Sequence, residues 1–360
     1  MTDTAEGPAP GTLEGPHSTA RPELGLDTFG DVTVDADGTA LPHHQVIRNI
    51  VEQAVLADSV GVDFIGVGEH HRDDFAVSAP DIVLSAIAAR TERIRMGSAV
   101  TVLSSDDPIR VFQRFSTIDA ISSGRAEVIL GRGSFTESFP LFGLDLRQYE
   151  ELFEEKLDLF VRLLDEEPVT WEGRLRAPLR NQRVYPPTQN GLTTWIAVGG
   201  SPESVIRAAK HRIPLMLAVI GGPVERFAPF ADLYRRANDQ LEQPQAPIGV
   251  HSPGHVAESD AEARDQVREH WIANRNRIGR ERGWGPAGER EFTAEIEEGA
   301  LYVGSPDTVA AKIAHAVRTL GVERFDLKYA NGPMPHAQLM RSIDLYGTEV
   351  IPRVRALLAD

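Results

Sequence analysis

Eight times along the 360 residues a short, mostly apolar run is followed by a stretch with helical spacing. The runs are residues 24–29, 64–67, 94–100, 126–130, 195–198, 214–220, 248–251 and 325–329. The helical stretches are 43–59, 78–90, 109–121, 149–164, 202–211, 224–241, 259–278, 307–320 and 336–358. In the first of these, Val46, Ile50, Ala54 and Ala57 fall on one face. Strand–helix alternation requires parallel strands joined by right-handed crossovers. Eight such units predict the α/β class and a closed (β/α)8 TIM barrel with insertions. The alternative, an open doubly wound sheet, lacks its glycine fingerprint in the first strand–helix turn. Two segments stand outside the repeat. Residues 170–190 read as an excursion with a small hairpin, and 280–300 as a polar insertion.

Composition narrows the function classes. There is no cysteine, which excludes disulfides, thiolate metal sites and cysteine nucleophiles. The formal charge of −16 argues against nucleic-acid and membrane-surface partners, which call for positive patches. No apolar run approaches the ~20 residues of a membrane span. Residues 1–22 are rich in Pro, Gly, Thr and Glu, lack a signal-peptide core, and read as a disordered tail on a cytoplasmic protein. Residues 23–360 are expected to form one barrel domain.

In a closed barrel, chemistry collects where the carboxyl ends of the strands meet. The second run passes into Gly68-Glu69-His70-His71-Arg72, the fourth into Gly131-Arg132-Gly133-Ser134, and the fifth into Gly199-Gly200-Ser201-Pro202-Glu203-Ser204. In the last of these, Ser201 has the position of an N-cap and Pro202 that of the first helical residue. The exposed amides, the helix dipole, two hydroxyls and close-approach glycines there suit an anion such as a phosphate. An ordinary cap is the competing reading, and Gly304-Ser305-Pro306-Asp307 repeats the same grammar. Arg132 offers a guanidinium to the same anion, or else a salt bridge to a nearby carboxylate. Adjacent side chains on an extended segment diverge, so Glu69, His70 and His71 make a poor chelate, and no metal site is expected. A base or charge-stabilising role suits a histidine in such a mouth. Asp73 and Asp74 read as solvated loop acids.

The motifs together resemble the luciferase-like monooxygenase superfamily, flavin-dependent enzymes that include the alpha subunit of bacterial luciferase. The matching pieces are VGEHH at 67–71, the run through Pro108-Ile109-Arg110, and IDAISSGRAEVILGRGSF at 118–135. FGLDL at 142–146, GGSPES at 199–204, RIPLMLA at 212–218 and VGSPDTVAAKI at 303–313 follow in order, and the closing run to Val350-Ile351-Pro352 completes them. The resemblance implies a barrel that binds flavin at its carboxyl-terminal mouth. It makes His70 the active-site histidine, Arg132 the arginine on the flavin phosphate, and Ser201 and Ser204 the hydroxyls at the phosphate-binding helix start. Ala99 and Val100 lie where the family often has a cis peptide behind the flavin ring. The expected cofactor-binding set is therefore Glu69, Ala99, Val100, Arg132, Gly133, Ser134, Gly199, Gly200, Ser201 and Ser204. Gly131 stands where luciferase has a reactive cysteine and Gly200 where it has a glutamate, so light emission from long-chain aldehydes is not implied.

What the resemblance implies is a monooxygenase that uses reduced FMN and O2 on a small organic substrate. No reductase domain or nicotinamide motif is visible, which suits a separate flavin reductase. An F420-dependent hydride-transfer enzyme is the first alternative, and a flavin-binding barrel without turnover the second. A homodimer through the helices at 78–90 and 109–121 is also implied.

Overall fold

The computed structural model describes residues 21–133 and 135–359. The expected tail, apart from Arg21 and Pro22, and the expected cofactor residue Ser134 lie outside the described residues. Eight strands close on themselves: β1 Glu23–Thr28, β2 Phe64–Val67, β3 Arg95–Ser98, β4 Ala126–Gly131, β5 Thr193–Val198, β6 Leu215–Ala218, β7 Ile248–Val256 and β8 Arg324–Lys328. Each pairs in parallel with the next, and β8 pairs in parallel with β1, so no edge of the cycle is left open. The helices around it are α1 His43–Ser59, α2 Pro80–Ala88, α3 Pro108–Ser122, α4 Tyr149–Leu163, α5 Pro202–Lys210, α6 Ala228–Gln240, α7 Asp260–Arg282, α8 Pro306–Leu320, α9 His336–Leu345 and α10 Ile351–Ala359. No helix among the described residues is long and apolar enough to cross a membrane.

The strands are two-faced. Leu24, Leu26, Ile65, Val67, Val128, Leu130, Leu215, Leu217, Phe325 and Leu327 point outward into the main core against the helices. The alternate residues point into the barrel, where Phe64, Ile129, Trp195 and Met216 form a second, smaller apolar cluster. Several inward positions are glycine because the centre is full. A Cβ on Gly25 would sit 2.1 Å from the Asp326 carboxylate, and one on Gly249 would sit 2.6 Å from Met216.

Charge also fills the barrel. Arg324 is fully buried, its guanidinium lies 3.5 Å from the centre of the Phe64 ring, and it bonds Glu127 at 2.6 Å and Asp326 at 2.9 Å. Glu127 also accepts from Trp195 Nε1 at 3.1 Å and pairs with Arg95 at 2.8 Å. Four neighbouring or facing strands are thus tied by one ionic layer beneath the mouth.

Several boundaries differ from the sequence reading. The third run breaks: Ala99–Val100 is a cis peptide, and the short strand Thr101–Val102 resumes against β4. β7 runs on to Val256, where it gains a partner that the sequence reading passes over, the strand Tyr302–Gly304. β8 begins at Arg324, a residue earlier than expected, because its charge is paired inside the barrel. The insertion at 280–300 contains the end of α7 and a further helix, Glu289–Glu297. The final helix is interrupted by a π turn, Tyr346–Val350. The excursion does hold a hairpin, Val169–Trp171 with Leu179–Gln182.

Removing one member of a buried ion cluster strands the others without water. Arg324→Met leaves Glu127 and Asp326 without their guanidinium, and we expect a loss of about 3–5 kcal/mol in denaturant unfolding. A loss well under ~1 kcal/mol would mean that the layer contributes little.

Candidate active site

A cavity of about 390 Å³ opens at the carboxyl ends of the strands. Its floor is Asp27, Asp326 and His251, and its walls include Val100, Phe135 and Met216. Of the residues singled out from sequence, Glu69, His70, Ala99, Val100, Arg132, Gly133 and Gly199 line it. Gly200, Ser201 and Ser204 stand beside it, at the start of α5.

His70 leaves β2 through Gly68 and enters an aromatic cage. Its ring stacks on Phe75 at 4.2 Å, tilts against Phe29 at 4.9 Å and meets Phe135 edge-on at 5.3 Å. Nδ1 is buried with no hydrogen-bond partner among the described residues. Burial above all, then the positive charges of Lys328, Arg72 and His71, push its imidazole down to about 3. It is therefore neutral at physiological pH. Its neighbours do different work. Glu69 accepts from His71 Nε2 at 2.9 Å and from the Val102 amide at 3.0 Å, which fixes the loop after the cis peptide.

The corner around Arg132 is built from β4, α4 and α5. Ser201 caps α5 by accepting from the Ser204 amide, with Pro202 at the first helical position. Gly200 has φ +112°, a conformation that side chains resist. A Cβ on Gly199 would meet nothing within 4 Å, so the space ahead of the helix is open. Arg132 packs over Tyr149 at 5.5 Å and pairs with Glu150. The structure shows the salt-bridge reading of Arg132, with its guanidinium at the mouth held by a half-exposed carboxylate. Arg207, unremarked from sequence, donates to Ser204 Oγ at 3.2 Å and to Glu154 at 2.5 Å. Its signal is its position, one turn after Ser204 on the same helix. The second Gly-Ser-Pro start behaves differently. There Asp260 fills the anion position, accepting from the Ser305 amide at 2.7 Å and from Thr308 Oγ1 at 3.0 Å.

A charged clasp crosses the mouth. Arg72 bonds Glu137 at 2.5 Å, Glu281 at 2.7 Å and Asp74 at 3.1 Å, and lies 4.6 Å from the Phe135 ring centre. Asp74 also pairs with Arg277, so it is an anchored acid rather than the solvated one expected; Asp73 is exposed. The clasp joins the β2 loop, the β4 loop and the end of α7. At the eighth exit, Asn331 is buried and donates to the Gly254 carbonyl at 2.9 Å. His251 and Asp27, which sequence reading left aside, bond on the cavity floor at 2.6 Å. Their signal is a polar residue at an inward position of an otherwise apolar strand. Among the described residues, no group of three or more His, Asp and Glu is placed to hold a metal.

The depressed His70 has a consequence for stability. An unfolded histidine titrates near ~6.5, so between there and about 3 the unfolded chain binds the proton and the folded one does not. This contribution is fully present above about pH 6.5 and is lost as pH falls toward 3; buried His255, pushed down to about 4, acts in the same sense. Thermal melts should therefore drop with acid from about pH 6.5, and the His70 ring protons should show no NMR titration between about pH 5 and 8. A midpoint near 6.5 for His70 would contradict the caged, neutral imidazole.

The chain is similar to several known proteins. The 4-hydroxyprotoasukamycin monooxygenase of Streptomyces nodosus subsp. asukaensis is 27% identical over 325 residues, covering 86% of this chain and 87% of that protein. The oxygenating constituent of 3,6-diketocamphane monooxygenase from Pseudomonas putida, in complex with FMN, superposes with a TM-score of 0.74 at 19% identity, covering 92% of this chain and 98% of that one. An F420-dependent secondary alcohol dehydrogenase superposes with a TM-score of 0.71 at 17% identity, covering 93% and 99%. At these identities the two structures attest the fold alone. Residues 28–324 match the family of luciferase-like monooxygenases, and the chain belongs to that family.

Proposed function

We propose that the protein is an FMN-dependent monooxygenase that receives reduced flavin from a separate reductase and oxygenates a small organic molecule. One observation carries the reading. A single cavity has a capped helix start beside the Arg132 guanidinium on one side and a neutral, caged histidine on the other. Family membership, the monooxygenase relative and the FMN complex of the diketocamphane enzyme support it.

The residues fit the cofactor. Arg132, Ser201, Ser204 and the amides after Gly199 and Gly200 would hold the phosphate, with Arg207 reinforcing Ser204. Gly133 belongs to the same corner, where its carbonyl accepts from the Tyr149 hydroxyl at 2.6 Å. Ala99 and Val100 would back the ring, with Glu69 holding their loop. When bound, reduced flavin supplies the electrons that activate oxygen. The chain does the rest. The clasp of Arg72 keeps water from the mouth, which protects reactive species from wasteful decay. His70, uncharged, would present its ring to the reaction face as a cavity-lining residue.

Arg132 is paired with Glu150, so a phosphate must displace that carboxylate. Arg132→Gln should weaken FMN binding by roughly tenfold or more, since bonds to charged groups contribute about 1.5–3 kcal/mol. Glu150→Gln should strengthen it. His70→Ala should keep FMN binding and lose oxygenation; equal activity would remove His70 from the mechanism. Flavin fluorescence titrations and product analysis read these effects.

The likeness to the F420-dependent dehydrogenase favours a second reading, hydride transfer with a deazaflavin. Oxygen uptake with reduced FMN, set against F420 reduction by alcohols, separates the two. Exposed Ile82 on α2 and Ile121 on α3 support a homodimer, and the absence of a membrane-crossing helix among the described residues is compatible with a cytoplasmic location.

A further inference from the structure

Three histidines line the cavity; His71 is bonded to Glu69 at 2.9 Å, and the other two are not equivalent. His70 has no partner at Nδ1, and burial holds it down to about 3, so it cannot retain a proton at neutral pH. His251 sits on the floor, on β7, with Nδ1 2.6 Å from Asp27 Oδ2. Its ring lies nearly parallel to Phe29, at 5.6 Å and 13°, and Phe29 in turn contacts His70. Asp27 is 1% exposed and its other oxygen has no partner among the described residues, so its charge is directed at the imidazole. A carboxylate on Nδ1 fixes the tautomer that leaves a lone pair on Nε2, and it stabilises the imidazolium once a proton arrives. Nε2 of His251 has no partner among the described residues, and the residue lines the cavity.

The charges around His251 come from two strands. Asp27 is on β1, and Asp326, its register neighbour, is on β8. Lys328, also on β8, is bonded to Asp31 at 3.0 Å and lies against the other ring, Phe29, at 4.8 Å. On the β6 side the register partner is Ala218, which carries no charge. Two carboxylates thus flank one imidazole, Asp27 by a direct bond and Asp326 by strand register. Above this floor the walls include the apolar side chains of Val100, Ile129, Phe135 and Met216.

We propose that His251, held by Asp27, is the base of this site, and that its substrate is a flat, largely apolar molecule with an ionisable hydroxyl: a phenol or an enol. This rests on the oxygenase reading above. In the step, the substrate O–H bond breaks, the proton goes to Nε2 of His251, and the electron pair stays on the oxygen. The Nδ1 proton remains shared with Asp27. The ionised ring or enol gains electron density at carbon, which suits it to oxygenation. Asp27 is the positioning residue.

The probe is 4-nitrophenol, whose phenolate absorbs visibly, added to the full chain with and without FMN. Bound to the wild type, it should ionise with an apparent pKa about one unit or more below that of the free dye. His251→Asn should bind the dye but leave it protonated, and Asp27→Asn should lose most of the shift. His315→Asn, at an exposed histidine bonded to Glu225 outside the cavity, should keep the ionised fraction of the bound dye. Circular dichroism and melting temperature control for folding in each variant. A wild type that fails to bind or ionise the dye, or a His251→Asn protein that ionises it equally, overturns the proposal. The dye responds without oxygen or turnover. A protein that ionises it but shows no FMN binding or oxygen uptake would refute the oxygenase reading and leave the dyad standing.

Discussion

Everything at the mouth of this barrel rests on a guanidinium that never meets water. Arg324 is enclosed between Phe64 and Trp195 and satisfied by Glu127 and Asp326. Burying a charge is tolerable only when its partners are buried with it. The layer therefore fixes which residues of β2, β4, β5 and β8 point inward. That parity carries upward along each strand. If Arg324 faces in, so do Asp326 and Lys328; if Glu127 does, so do Ile129 and Gly131. The floor of the cavity, Asp27, Asp326 and His251, is the next rung of the same ladder. Burial pushes the Asp326 carboxyl up to about 6 despite its arginine, which shows how much the interior resists further charge.

Above the floor, division of labour follows from environment. His70 is surrounded by rings and cations and is kept neutral. His251 is given a carboxylate. The two Gly-Ser-Pro helix starts diverge in the same way. One is closed by Asp260, while the other faces open space next to Arg132. Local sequence is nearly identical at both, so the difference lies in what the fold brings opposite. The Arg72 clasp then joins three excursions that are far apart in sequence, Arg72, Glu137 and Glu281, over one opening.

The barrel was legible in the sequence because its outward strand faces are continuous apolar runs and its helices have caps and glycine stops. The exits were legible for the same reason, since a strand that ends in glycine and titratable groups marks its own mouth. Arg324 was not, because a charge next to an apolar run reads as a strand end rather than its first buried rung. Glu127, Asp27 and Asp326 were hidden likewise: parallel strands covered on both faces should be uniformly apolar, and a barrel interior with paired charges is the exception. Those interruptions at alternate positions are themselves the signal of an ionic interior. Arg207 and His251 required contacts between segments 50 and more residues apart, which spacing along one chain does not encode.

The proposed function requires one cavity to hold a flavin between the corner around Arg132 and the caged His70. A crystal structure of the full chain soaked with FMN tests it most directly. The expected result is phosphate density within hydrogen-bond distance of Arg132, Ser201 and Ser204, Glu150 turned away, and the flavin ring between Ala99–Val100 and His70. FMN bound outside this cavity, or a phosphate corner still closed by Glu150 at saturating FMN, would contradict it.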